Sequence, residues 1–268
     1  MSSHVKRWIT GVAGAAILFA LIVYGPPALF DAVLIVLILI GVTEYSRMVF
    51  SPADSWERTE VLAISLLIPF AFIVGDTAVV LAIVTLSVLG VFSLYLLRIK
   101  DQEFQIIPVM KVVFGFLYLP LTLSHFILIR HGDRGVLWIF FILVLAFSGD
   151  ITAFYVGRTW GKKKLLPFVS PGKTEEGMIG LIAGSTICCI VYQQLFLPNL
   201  PVVHAAILGF VGSIIGQLGD LCESAIKRAS GVKDSGVILP GHGGLLDRLD
   251  CLIFITPFVY YYRLFVIA

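Results

Sequence analysis

Charge is scarce in this 268-residue chain: Asp, Glu, Lys and Arg make up 13% of it, against 59% hydrophobic residues and a mean hydropathy of +1.00. That balance excludes a soluble globular protein and points to an integral membrane protein. Cysteine is scarce too. Cys188, Cys189, Cys222 and Cys251 all fall in apolar runs, without the spacing of a disulfide framework or a zinc site. Long polar segments are missing, since the widest gaps between apolar runs, 47–59, 158–175 and 227–244, are too short to bury a core of their own. The apolar runs lack the alternation of barrel strands, so their backbone groups must be satisfied within helices. No convincing internal repeat is visible, a net charge of +2 is uninformative for such a protein, and no nucleic-acid partner is expected.

What is there is a series of nine apolar stretches, at 9–24, 27–46, 60–75, 77–97, 107–129, 135–157, 176–196, 202–226 and 245–266. Each is about long enough for a tilted helix across a ~30 Å hydrocarbon core. The expected fold is therefore all-α and polytopic, with about nine transmembrane helices. The first run follows Lys6 and Arg7 as a signal peptide would, but Gly25-Pro26-Pro27 stands where a small-residue cleavage pattern belongs, so it is read as a retained helix. Threading nine spans from a cytoplasmic N-terminus puts sixteen of the nineteen Lys and Arg residues on the cytoplasmic side, leaving Arg130, Arg134 and Arg263 opposite. The polar loops 158–175 and 227–244 then both face the cytoplasm.

The chain divides in character. Residues 1–134 read as scaffold and lipid-facing helices, with Asp31 and Glu44 the main intramembrane acids and Lys111 placed to snorkel to the interface. Residues 135–268 read as a catalytic core, because polar groups and glycines concentrate there. Asp150 lies in an apolar helix, where an ionisable residue is a functional candidate or a structural partner. The next loop carries Lys162, Lys163 and Lys164, whose charge fits topology, and then Ser170, Gly172-Lys173-Thr174 and Glu176. Gly172-Lys173-Thr174 resembles the end of a P-loop, but Pro167 replaces the first glycine and no strand precedes it, which leaves an anion-favouring loop before a helix. Gly180 with Gly184, and Gly212 with Gly216, have the spacing of closely packed membrane helices.

The densest polar stretch is 224–250. Asp220 and Glu223 precede it, Gln217, Asp220, Ser224 and Lys227 share one helix face, and Asp247 and Asp250 open the last apolar run three residues apart. Asp220, Asp247 and Asp250, with Asp150 as a further candidate, supply oxygen donors without a Cys or His cluster, which suits Mg²⁺ and admits a second cation. The alternative is that Lys227 and Arg248 simply neutralise these acids. Lys227, Arg228, Lys233 and Arg248 can offset phosphate charge, and Pro240-Gly241-His242-Gly243-Gly244 lets backbone N–H groups crowd an anion. His242 suits either an acid–base or a loop-orienting role. Metal, cations and a glycine-rich loop together suit phosphoryl or nucleotidyl transfer, with no serine or cysteine nucleophile in view.

Ser224, Lys227-Arg228, Lys233-Asp234, Pro240, His242-Gly243-Gly244, Asp247-Arg248 and Asp250 resemble the signature of the phosphatidate cytidylyltransferases, the CDP-diacylglycerol synthases. The resemblance extends back through Asp150, Tyr155, Gly157-Arg158, Ser170-Pro171, Lys173-Thr174 and Glu176-Gly177, and departs at Gly172, where a basic residue is expected. It implies transfer of CMP from CTP to phosphatidic acid, giving CDP-diacylglycerol and pyrophosphate in phospholipid biosynthesis. Asp220, Asp247, Lys227, Arg248 and His242 would be catalytic. Ser170, Lys173, Thr174, Glu176, Ser224, Arg228, Lys233, Asp234, Gly243 and Gly244 would bind substrate. Mg²⁺, a homodimer and an inner-membrane location with a cytoplasmic active site are also implied. The competing readings are a CTP-dependent polyprenol or phytol kinase and a transporter of a phosphorylated solute. The complete signature argues against the kinase, and the confinement of the acids to one half against the transporter.

Overall fold

A computed structural model describes residues 3–99, 105–238 and 243–267. Pro240 and His242 lie outside the described residues. The chain is an all-α polytopic membrane protein. Its helices are α1 (Ser3–Tyr24), α2 (Pro27–Val49), α3 (Ser55–Val74), α4 (Thr77–Arg98), α5 (Ile107–Phe116), α6 (His125–His131), α7 (Gly135–Trp160), α8 (Glu175–Phe196), α9 (Val202–Ala229) and α10 (Leu246–Tyr262). A π-helical turn, Leu117–Leu121, joins α5 towards α6 at Pro120, and another, Arg263–Ile267, follows α10. Proline removes a ladder donor, and a π turn is one way a helix absorbs that loss.

Every apolar stretch read from the sequence corresponds to a helical segment. Among the described residues, seven are long and apolar enough to cross a membrane: Pro27–Val49, Thr77–Arg98, Ile107–His131, Gly135–Trp160, Glu175–Phe196, Val202–Ala229 and Leu246–Ile267. In α1 the apolar part is the shorter Gly14–Tyr24. In α3, Glu57, Arg58 and Glu60 bring charge into the first turns. The boundaries follow local chemistry. Pro26 and Pro27 open α2, where a missing N–H costs nothing. Gly75 closes α3 at φ 76°, a conformation that suits glycine. Asp76 caps α4 by accepting from the Ala78 amide at 2.7 Å.

The chain forms two compact units. The first comprises Met1–His131 and Asp234–Asp247, the second Gly132–Lys233 and Arg248–Ala268. In the first, Tyr45 of α2 donates to the Lys111 carbonyl at 2.9 Å, and a Cβ at Gly115 would lie 2.6 Å from the Tyr45 ring, so this glycine lets α5 approach α2. Lys111 Nζ donates to the Val49 carbonyl at 2.8 Å.

The second unit packs α7, α8, α9 and α10 through small residues. A Cβ at Gly180 would meet Val156 at 2.7 Å, one at Gly209 the Thr186 Cα at 2.7 Å, and one at Gly216 the Ile255 side chain at 2.6 Å. Membrane helices gain van der Waals contact by such close approach. Between α7 and α8 lies a short antiparallel hairpin, β1 (Lys164–Leu166) and β2 (Ser170–Thr174), pairing Lys164 with Thr174 and Leu166 with Ser170. It is the one β element among the described residues.

Candidate active site

The second unit gathers Asp150 from α7, Asp220 from α9 and Asp250 from α10. These three carboxylates interact electrostatically with one another, and Lys173 acts on all of them. Lys173, on β2, forms an ion pair with Asp220, both side chains being about a quarter exposed. Arg248 also acts on Asp150. Ser224, one turn along α9, donates from Oγ to Asp220 Oδ1 at 3.4 Å. Beside these groups a cavity of about 10 Å³ is lined by Asp150, Asp220, Ser185, Gln217 and Cys251 among others, room for about one water-sized occupant. The Gln217 Nε2 is buried there without a hydrogen-bond partner, a donor suited to a water or phosphate oxygen.

The hairpin that presents Lys173 is fixed at both ends. Thr174 caps α8, its Oγ1 accepting from the Gly177 amide at 3.1 Å. Glu176 accepts from the Lys162 amide at 3.0 Å and from the Lys163 amide at 3.3 Å. Arg228, from the end of α9, donates to the carbonyls of Val169 and Val232 at 3.2 and 3.3 Å. Thr174, Glu176 and Arg228 thus hold the loop's shape, while Ser170 stands at the start of β2. Lys227 forms an ion pair with Glu223 one turn back, and Glu223 is fully buried. Lys173 is thus a cation placed against Asp220, and it comes from a different element. Lys233 is exposed.

In the first unit the signature loop is organised by a residue that the sequence assigned to the scaffold. Glu44, on α2 and 1% exposed, accepts from the Leu245 and Leu246 amides at 3.0 and 2.8 Å and from Ser235 Oγ at 3.3 Å. These amides open α10, so the carboxylate satisfies helix-terminal donors and sits at the favourable end of the dipole. Asp247 Oδ2 accepts from the Ser235 amide at 3.1 Å, from Ser235 Oγ at 3.0 Å and from the Gly244 amide at 2.8 Å. Gly243, at φ 82°, turns the chain beside this carboxylate. A Cβ at Gly244 would lie 2.6 Å from Glu44 Oε2, and one at Gly236 2.8 Å from its carboxyl carbon, so both glycines admit the glutamate. Asp234 is exposed at the start of this segment. His242 lies outside the described residues, and no role for it follows from the structure.

The donor set of the second unit is all oxygen, and Mg²⁺ binds through one or two carboxylates plus waters and substrate phosphates. That chemistry fits Asp220 and Asp250 beside Asp150. Among the described residues, no group of three or more His, Cys, Asp or Glu side chains is drawn together so that it could hold a metal ion by itself.

The fold and site together define an all-α polytopic membrane protein with a carboxylate cluster set against a lysine on a capped hairpin. Its family follows from sequence comparison. The cytidylyltransferase family matches residues 5–266, and the chain belongs to that family. It is 41% identical over 151 residues to the phosphatidate cytidylyltransferase of Bacillus subtilis (strain 168), covering 56% of each chain. It is 35% identical over 210 residues to that of Staphylococcus epidermidis (strain RP62A), covering 78% of this chain and 73% of the relative. A third phosphatidate cytidylyltransferase, from Synechocystis, is 29% identical over 286 residues, covering 96% and 95%. The alignment to the Bacillus protein spans little more than half of that relative's length.

Proposed function

We propose that this protein is a phosphatidate cytidylyltransferase, transferring CMP from CTP to phosphatidic acid to give CDP-diacylglycerol and pyrophosphate. The observation that carries the reading is the Lys173–Asp220 ion pair, which sets the basic hairpin against the carboxylates of α7, α9 and α10. A nucleotidyl transfer needs cationic groups for the triphosphate beside acids that can hold a divalent cation. The relatives' names and the signature residues support the same assignment.

In this reading a phosphate oxygen of phosphatidic acid attacks the α-phosphorus of CTP. The bond between that phosphorus and the bridging oxygen breaks, and pyrophosphate leaves. The lipid is its own nucleophile, so no covalent enzyme intermediate is required. Lys173 and Arg248 offset negative charge on the phosphates, and Ser224 orients Asp220. The buried Gln217 amide offers a donor beside Asp220. Asp220 and Asp250, with Asp150 alongside, would hold Mg²⁺, which when bound neutralises nucleotide charge and polarises the phosphoryl oxygens. Asp247 remains a proposed metal donor on the strength of the signature, its Oδ2 oriented by Ser235 and Gly244. Lys227 is tethered by Glu223, which fits a supporting electrostatic role.

The distribution of Lys and Arg supports an active site facing the cytoplasm, where CTP is present while the acyl chains stay in the bilayer. A homodimer is proposed from the family resemblance alone. The assignment is tested with purified protein, CTP and phosphatidic acid across a Mg²⁺ titration. CDP-diacylglycerol and pyrophosphate in equal amounts are expected; no such products, together with CDP and a phosphorylated alcohol when a polyprenol replaces phosphatidic acid, would replace the reading with a kinase.

A further inference from the structure

The hairpin between α7 and α8 carries groups that the proposed reaction does not use. Phe168, in its turn, is 95% exposed; Trp160, at the end of α7, is 65% exposed, and Leu166 is 45% exposed. Lys162, Lys163 and Lys164 are exposed beside them. The ion pair of Lys163 with Glu175, at 3.8 Å between exposed side chains, is worth little in solvent. Both flanking helices are long and apolar enough to cross a membrane, so the short connection at 161–174 is confined to the bilayer surface.

A run of lysines serving only to set topology needs no fixed backbone, yet this one is pinned. The Lys162 and Lys163 amides donate to Glu176, the Lys163 carbonyl accepts from the Glu175 amide at 3.0 Å, and the Val169 amide closes the turn onto the Leu166 carbonyl at 3.1 Å. Arg228 ties the far end of the turn to α9. Exposed aromatic and aliphatic side chains next to cations on a pinned backbone have the chemistry of an interfacial anchor, in which rings enter the headgroup boundary and cations meet anionic headgroups.

We propose that this hairpin is an interfacial anchor for anionic lipid: Phe168, Leu166 and Trp160 enter the headgroup–acyl boundary, and Lys162, Lys163 and Lys164 bind the phosphates of anionic lipids there. The occupant is a lipid headgroup rather than a free nucleotide phosphate, because apolar exposure and positive charge lie on the same short element.

The test uses the full chain reconstituted in nanodiscs of phosphatidylcholine, with and without phosphatidylglycerol. Trp8, Trp56, Trp138 and Trp160 are replaced by Phe, and Phe168→Trp supplies one fluorophore. Quenching of that tryptophan by a phospholipid brominated near the headgroup, with weak quenching by aqueous iodide, is expected. Strong iodide quenching without lipid quenching would overturn the anchor. Adding phosphatidylglycerol should deepen the lipid quenching, and the combined Lys162→Gln, Lys163→Gln and Lys164→Gln substitution should abolish that dependence. If the substituted protein kept the same response, the lysines would not be the headgroup site. Inorganic pyrophosphate should leave the signal unchanged, whereas displacement by pyrophosphate would reassign the lysines to soluble phosphate. These measurements read the hairpin whether or not the protein is a cytidylyltransferase. In turnover assays the same lysine substitution should raise the apparent KM for dispersed phosphatidic acid roughly fivefold or more, with KM for CTP unchanged.

Discussion

Replacing Glu44 by glutamine keeps the shape of the side chain and removes one acceptor oxygen. Glu44 Oε1 accepts from the Leu245 amide, while Oε2 accepts from the Leu246 amide and Ser235 Oγ, all within 3.3 Å and away from solvent. Whichever way the new amide turns, its NH₂ faces at least one backbone N–H that was 3.0 Å or closer to a carboxylate oxygen. A buried donor left without an acceptor costs about 1–3 kcal/mol, and more where a charged partner is lost. With 1.4 kcal/mol to a factor of ten, the folded arrangement of the loop at 235–247 should weaken by roughly 5- to 150-fold. Two readouts on detergent-purified protein check this: a lowered melting temperature, and a turnover loss larger than the fall in folded protein, because Asp247 shares Ser235 with Glu44. Ser235→Ala should give part of the same loss, and the double variant should be less than additive. If Glu44→Gln melted and turned over like the parent, the organising role assigned to Glu44 would be refuted.

Lys173→Met removes the cation paired with Asp220 and leaves three mutually repelling carboxylates, so turnover should fall at least about tenfold; steady-state rates near the parent value would contradict the pairing as a functional one. Asp220→Asn and Asp250→Asn should each lower turnover about 100-fold or more and shift the Mg²⁺ titration to higher concentration, with the double variant scarcely worse than either, as for groups acting together. Unchanged titration midpoints would remove these residues from the cation site. Gly209→Ala places a Cβ 2.7 Å from the Thr186 backbone and should destabilise by about 1–3 kcal/mol, read as a lowered melting temperature, whereas Gly90→Ala, with nothing within 4 Å, should not.

Helices were the most legible feature, because long apolar runs bounded by Pro26, Gly75 and Pro201 leave little choice in a bilayer. The apolar runs fell short at some ends for an electrostatic reason. α9 continues through Lys227 and Arg228, and α7 through Arg158, since cations suit a helix C-terminus. α3 begins earlier than its apolar run because Glu57 suits an N-terminus. The hairpin at 164–174 was not legible: its strands are short, rich in Pro and Gly, and show no two-residue alternation. The carboxylates could be nominated one at a time, and Arg248 as a cation beside them, but not the pairing with Lys173. The Glu223–Lys227 pair was open to view as an i, i+4 spacing, while Lys173 reaches Asp220 from a different element. Glu44 was visible as an intramembrane acid but its role was not, because its partners lie about 200 residues away in sequence, and nothing local distinguishes it from an acid at the end of a scaffold helix.

The central claim is the bond that breaks. Two parallel reactions of the purified protein with phosphatidic acid and Mg²⁺, one with CTP labelled at the α-phosphate and one with CTP labelled at the γ-phosphate, follow each phosphorus into lipid or water. A cytidylyltransferase puts the α-label into the chloroform-soluble lipid and releases the γ-label as pyrophosphate. Lipid carrying the γ-label, with the α-label left in soluble CDP, would contradict the account.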